Sequence, residues 1–306
     1  MEKNTKNVRS RISKGLGIVN QIFNILDNVS FGSHFFEMSM LLRDSMLING
    51  TLTNAEIWYN LTKTEIEEFE SLDRLFFRRL LEVPITTPTE AYYLEFGVLP
   101  INVIVKARRI NYLHSILKKD KKGMVYSFFI TQWHQPSKGD WTEQVRRDLV
   151  DFSIPCSFQF IESKSAEVFK KLVKRQAKEY ALGSLQSKKA KHSKMDNVSY
   201  TNLESQEYFK SDQISNDQKR MIFKYRTRME RFGENFRGSQ NMVMCPLCSL
   251  HLDSQDLGLQ CPEVRKEIHH NGGDIKEIYG EKIGKDIVNT VTKVMEIRKK
   301  MIENQP

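Results

Sequence analysis

Apolar residues recur at three- and four-residue spacing through most of this chain, and helix-capping residues fence the stretches that carry them. Near the start, Ile12, Leu16, Val19, Phe23 and Leu26 make one stripe, the period of an amphipathic helix. A second helical stretch runs from about Phe35 to Ile48, and Asn49-Gly50 predicts a turn after it. Thr62-Lys63-Thr64-Glu65 reads as a capping box: the Thr62 hydroxyl accepts from the Glu65 N–H, and the Glu65 carboxylate reaches back. The helix it opens carries Ile66, Phe69, Leu72, Phe76 and Leu80, and should stop before Pro84. Thr87-Pro88-Thr89-Glu90 repeats the start signal with Thr87 as cap, and Gly97 supplies a stop. Pro100 opens a longer helix with Val103, Ala107, Ile110, His114 and Leu117 on one side. Trp141 to Val150 and a final stretch from about Glu281 to Ile302 also read as helix. The expected fold class is mainly α.

At 306 residues the chain is long enough to bury a core, and 40% hydrophobic against 28% charged content suits a folded protein. Its longest apolar runs fall far short of the roughly 20 residues that cross a bilayer, and no signal peptide is visible, so the expected setting is intracellular, nuclear or cytoplasmic, with no membrane partner. Net charge is +9 and uneven. Residues 164–194 hold ten cations, including Lys170, Lys171, Lys174, Arg175, Lys178, Lys188, Lys189 and Lys191, against Glu167 and Glu179. Such a stretch attracts polyanions through salt-sensitive phosphate neutralisation, which makes RNA or DNA the expected partner. A plainly solvated helix face is the competing account of the same lysines. Val168, Phe169, Leu172 and Val173 would anchor this helix. Residues 184–215 are polar and poor in apolar anchors, and read as a linker or mobile arm.

Three of the four cysteines crowd together as Cys245-Pro246-Leu247-Cys248 and Cys261-Pro262. Cys-x-x-Cys on a tight turn aims two thiolates at one tetrahedral ion, and a distant Cys with one His closes a structural zinc site. His251 is the first-choice fourth ligand; His269 and His270 lie further on. The alternative is a degenerate knuckle whose cysteines are reduced and merely buried. Arg108 and Arg109 either line a groove or form ion pairs with Glu90 or Glu95. Trp58, Trp133 and Trp141 can stack bases, but buried anchors suit them better.

Several ordered matches point to a family. They include Leu41-Leu42-Arg43-Asp44-Ser45, Leu47-Ile48-Asn49-Gly50-Thr51-Leu52-Thr53-Asn54-Ala55-Glu56-Ile57-Trp58-Tyr59 and Leu61-Thr62-Lys63. Leu72-Asp73-Arg74, Phe77-Arg78-Arg79-Leu80-Leu81, Tyr93-Leu94-Glu95-Phe96-Gly97 and Arg108-Arg109-Ile110-Asn111-Tyr112-Leu113-His114 follow in order. Together they resemble the region downstream of the catalytic palm in reverse transcriptases of non-LTR (LINE-type) retrotransposons. Tyr225-Arg226-Thr227-Arg228, the cysteines and Asp253-Ser254-Gln255-Asp256 resemble that family's C-terminal zinc knuckle. The knuckle's histidine would fall at or beside Leu257, which cannot ligate. The family's polymerase holds two metal ions on clustered aspartates, and this chain has no Asp-Asp dipeptide.

The resemblance implies thumb-like helices in residues 1–60, a helical connector in 61–160, a basic helix and polar linker in 161–217, and a knuckle-like module with a C-terminal amphipathic helix in 218–306. It implies grip on template RNA or target DNA rather than catalysis, beside the palm-containing part of the same element protein. The rival expectation is a host-retained helical scaffold with no nucleic-acid role.

Overall fold

The structure, a computed structural model, describes residues 2–135, 137–191, 193–230, 232, 244–255, 261–267, 278–280, 283 and 285–303. It is mainly α. In chain order the helices are α1 (Glu2–Asn28), α2 (Phe35–Leu42), α3 (Asn49–Thr51), α4 (Lys63–Leu81), α5 (Thr89–Phe96), α6 (Ile101–Leu117) and α7 (Met124–His134). There follow α8 (Trp141–Asp151), α9 (Phe158–Glu162), α10 (Ala166–Lys189), α11 (Glu207–Lys210), α12 (Asn216–Arg226), α13 (Pro262–Glu267) and α14 (Lys285–Glu303). Among the described residues there is no strand, only an isolated antiparallel bridge between Met244 and Leu252. No described helix is long and apolar enough to cross a membrane.

The chain divides into two compact units that interleave along the sequence: Met1–Val29, Ser39–Phe76 and Gly97–Gln186 make the first, and Ser30–Met38, Phe77–Phe96 and Ser187–Pro306 the second.

In the first unit, the apolar stripe of α1 is rotated from the one the spacing predicts. Ile18, Val19, Ile22, Phe23 and Leu26 are buried, but Leu16 is 44% exposed. Gly15 takes the inward position instead. A Cβ there would lie 2.4 Å from Leu72 Cδ1 and 2.8 Å from Thr51 Cγ2, so the missing side chain sets how closely α1 packs. Gly50 acts in the same way. The predicted turn at Asn49-Gly50 is helical, and a Cβ on Gly50 would sit 2.6 Å from Ile18 Cδ1. The reversal comes a few residues later, where Asn54 adopts φ +58°.

Between α2 and α3 the helix widens into a π-helical turn, Arg43–Ile48. It carries a buried arginine: Arg43 Nε and Nη2 donate to the two carboxylate oxygens of Asp73 at 2.7 and 2.6 Å. The capping box ahead of α4 forms as expected, with Glu65 N–H to Thr62 Oγ1 at 3.2 Å and Thr62 N–H to Glu65 Oε2 at 2.8 Å. Val8, Ile48, Leu52, Phe69, Ile101 and Val105 share one core cluster, and Trp58 stacks on Phe69 with ring centroids 5.5 Å apart. Arg109 neither lines a groove nor meets the predicted Glu90 or Glu95. It donates to Asp148 Oδ2 and Oδ1 at 2.6 and 3.1 Å and to the Trp58 carbonyl at 3.0 Å. Arg108 donates to the Leu52 carbonyl and to Asn49 Oδ1.

The second unit is built around α5, whose residues Ala91, Tyr92, Tyr93, Leu94, Glu95 and Phe96 are all buried. A helix buried on every side belongs inside a core, and its one buried charge, Glu95, must find partners there. Phe77 stacks on Tyr92 (5.3 Å), Tyr92 on Phe223 (5.9 Å) and Phe96 on Phe209 (4.2 Å). Helix α5 begins at Thr89, and Thr87 does not cap it: its hydroxyl donates back to the Pro84 carbonyl at 2.8 Å. Gly97 follows with φ +62°, as its stop role requires.

The segment read as a linker is packed. Helix α10 continues to Lys189, and Met195, Val198, Tyr200, Leu203, Tyr208, Phe209 and Ile214 are buried. Its apolar residues are too widely spaced to make a periodic pattern, and two of its anchors are tyrosines that serve a buried charge. The Tyr200 and Tyr208 hydroxyls donate to Glu95 Oε1 and Oε2 at 2.6 and 2.9 Å. Arg226 Nε donates to Glu95 Oε1 at 2.8 Å. The remaining Arg226 donors reach the Ile278 and Gly280 carbonyls and Gln206 Oε1. Burial, then the Glu95 charge, pushes both tyrosine hydroxyls well above their ordinary range, so they stay protonated donors.

Candidate cation face and cysteine cluster

Helix α10 positions the predicted basic face within the first unit. Its buried side is Phe169, Val173, Ala177, Ala181 and Leu185. Val168 is not an anchor: it is 53% exposed, one residue around the helix from the buried row. Positions four apart stack along a helix, so the cations fall on two neighbouring ridges. On the outer ridge Lys171 pairs with Glu167 at 2.7 Å and Arg175 with Glu179 at 3.9 Å. On the flanking ridge stand Lys170, Lys174 and Lys178. Lys170 and Lys174 are exposed, and no ion pair engages either among the described residues. Lys178 is half-buried and has a partner of its own. Lys188 and Lys189 fall in the last turn, where cations suit the helix dipole, and Lys191 follows the helix as an exposed side chain. Among the described residues, the five predicted helix cations thus divide into a ridge on which Lys170 and Lys174 make no ion pair and a ridge on which Lys171 and Arg175 are paired with their own acids.

The three cysteines converge in the second unit. Cys245, Cys248 and Cys261 bring their sulfurs within 4.8 Å of one another, and Cys245 Sγ lies 3.8 Å from Cys261 Sγ. All three are free thiols. The loop that aims them is closed by main-chain bonds: Cys245 N–H donates to the His251 carbonyl at 2.7 Å, and Ser249 N–H to the Cys245 carbonyl at 2.9 Å. Ser249 takes φ +53° to make the turn. Cys261 sits at the start of α13, with the Arg265 N–H bonded to its carbonyl at 2.9 Å.

Around the loop, Gln255 Nε2 donates to the Tyr225 carbonyl and the Tyr279 hydroxyl, both at 2.7 Å, and Asp253 pairs with Arg298. The Leu250 N–H, directed at Cys248, holds that thiol below its ordinary range. Burial pushes the Cys261 thiol up to about 11.

The structure brings the three predicted cysteines together but not the predicted histidine. His251 joins through its carbonyl; its side chain is exposed, and its ring nitrogens are outside the sulfur group. Leu257, His269 and His270 lie outside the described residues. The cluster can hold a metal ion on three sulfurs.

Of the three tryptophans, Trp133 is buried, while Trp58 and Trp141 are half-buried. Sequence reasoning passed over a cleft of about 380 Å³ in the first unit, lined by Phe128, Phe129 and Trp141 among others. Its one advance signal was Trp141, one of the three tryptophans read as better suited to anchoring than to stacking bases. Comparison of the chain with protein-family models, with curated proteins and with solved structures finds no match to any of them.

Proposed function

We propose that the chain grips nucleic acid, template RNA or target DNA, without a polymerase site of its own, as the post-palm region of a LINE-type reverse transcriptase would. The palm-containing part of such an element protein would be its partner. The observation that carries the reading is the Lys170–Lys174 pair: two exposed cations, four residues apart, that make no ion pair among the described residues. A pair at that spacing follows a phosphate backbone, and each phosphate it neutralises releases counterions.

The test is the salt dependence of binding to a single-stranded RNA. Each lost phosphate contact removes about 0.7 from the slope of log affinity against log salt. Lys170→Gln with Lys174→Gln should therefore flatten the slope by about 1.4, with affinity falling evenly across sequences. Lys171→Gln with Arg175→Gln should move it less, because Glu167 and Glu179 already hold those cations. Equal slopes in wild type and the first double variant defeat the reading.

The reading extends to zinc on Cys245, Cys248 and Cys261. Zn–S bonds of about 2.3 Å in a tetrahedron place sulfurs about 3.8 Å apart, and Cys245 and Cys261 stand at 3.8 Å. When bound, the ion cross-links the loop to the start of α13. Water or His251 would complete its fourth position. Chelator competition should find one zinc per chain, removed by Cys248→Ser or Cys261→Ser, and metal removal should lower the melting temperature, because site formation is linked to folding. A chain that takes up no zinc has three core cysteines instead.

A further inference from the structure

The cleft in the first unit has features that the basic helix lacks. Its floor is aromatic and fixed. Phe129 packs on Trp141 (6.3 Å), Trp133 (5.5 Å) and Phe158 (5.7 Å). Tyr112 meets the Trp141 ring edge-to-face at 5.8 Å, and Trp141 Nε1 donates to the Glu56 carbonyl at 2.8 Å. One aromatic ring at its rim is not packed away: Phe128 is 70% exposed.

Beside the rings stand the exposed amides Gln132 and Gln135. Each offers a carbonyl acceptor and an NH2 donor, the groups that read a base edge. Lys119 follows Ile116, another lining residue, and its N–H bonds the Ile116 carbonyl at 3.0 Å. Lys119, Lys121 and Lys122 are exposed, with Asp120 the one acid among them. Apolar stacking surface, paired amide groups and adjacent cations match an unpaired nucleotide in shape, hydrogen bonding and charge. An acidic peptide could also use the cations, and the abasic strand and the Phe128 variants separate the two.

We propose that this cleft takes an unpaired base of single-stranded RNA. The base stacks on Phe128, Gln132 and Gln135 meet its edge, and the lysines that follow α6 meet the flanking phosphates. This is the manner in which single-stranded RNA is generally recognised, with splayed bases stacked on aromatic rings and read at their edges. The inference rests on the nucleic-acid reading above and adds a base-dependent contact to a charge-dependent one.

Fluorescence anisotropy with the full chain separates the two. The probes are a labelled 12-nucleotide RNA, the same strand with abasic positions, and a 12-base-pair duplex. Phe128→Ala should weaken binding of the base-bearing strand about 5- to 150-fold, the equivalent of about 1–3 kcal/mol for one stacked base. It should leave the salt slope, the abasic strand and the duplex unchanged. Phe128→Tyr, which keeps the ring, should bind as wild type does. Lys170→Gln with Lys174→Gln should instead flatten the slope on every probe.

If Phe128→Ala binds the base-bearing strand like wild type while the lysine variant still flattens the slope, the cleft inference fails and the grip reading stands. The same result is expected if the cleft belongs to a protein partner. If wild type binds none of the three probes, both fail. Phe128 is exposed, so circular dichroism of the alanine variant should match wild type; an unfolded variant would itself contradict the placement of this ring at the rim.

Discussion

Replacing Glu95 with alanine is expected to destabilise the second unit by about 3–5 kcal/mol, the cost of removing one partner from a buried ion pair. Arg226 is fully buried and would keep its charge: burial opposes ionisation, but a guanidinium is too basic to lose its proton inside a protein. Its remaining partners are neutral: two carbonyls and Gln206. The Tyr200 and Tyr208 hydroxyls would lose their acceptor as well, and an orphaned buried donor costs about 1–3 kcal/mol.

The Glu95→Leu, Arg226→Met double variant should recover only part of the loss, since both hydroxyls stay orphaned. Adding Tyr200→Phe and Tyr208→Phe should recover more, because apolar groups of similar volume replace a buried ion pair at little cost. Urea unfolding of wild type and the three variants measures this. A Glu95→Ala loss under 1 kcal/mol would mean that water reaches Arg226 in solution.

In the first unit, Arg43→Met should cost more than Asp73→Ala, with both in the range of about 3–5 kcal/mol. Arg43 and Asp73 are each almost wholly buried and meet through two parallel bonds, the strongest geometry for such a pair. The asymmetry comes from Asp44. It accepts from Arg43 Nη1 at 2.7 Å and is 62% exposed, so an arginine that loses Asp73 keeps one carboxylate near water. Asp73 has no comparable exit. Its exposure is 0%, and Arg43→Met strands a buried charge. Hydrogen exchange along α4 reports the difference, with faster exchange expected in Arg43→Met than in Asp73→Ala. The reverse order would show that Asp73 is held by other donors.

Those two ion pairs also show where sequence reasoning runs out. Local signals were legible. The Thr62–Glu65 box and the stop at Gly97 each depend on residues within four positions, and both formed. Helical period placed α4 and α6 and fixed the mainly α class. Pairings across dozens of residues leave no local mark. The sequence offers Arg108 or Arg109 as one possible partner for Glu95, but the arginine that pairs with it, Arg226, lies 131 residues on. Glycine misled for a related reason: at Gly50 the signal for a turn and the signal for close packing are the same missing side chain.

The candidate sites divide likewise. Cysteine spacing carried the sulfur cluster, because a Cys-x-x-Cys turn is local. The basic helix was legible in composition, but the pairing of Lys171 and Arg175, and not of Lys170 and Lys174, follows from where Glu167 and Glu179 fall on the helical period. The Phe128 cleft left no pattern, since an aromatic at a rim and one in a core look alike in a string of letters.

The interleaving of the two units has a consequence during synthesis. The second unit begins with residues 30–38 and 77–96, yet its arginine counter-charge is Arg226. At about 5–20 residues per second on the ribosome, Glu95 emerges roughly ten seconds before Arg226 does. In that interval α5 and its aromatic faces have no finished partner. The nascent chain must carry a sticky, half-built module past the point where residues 97–186 complete the other one.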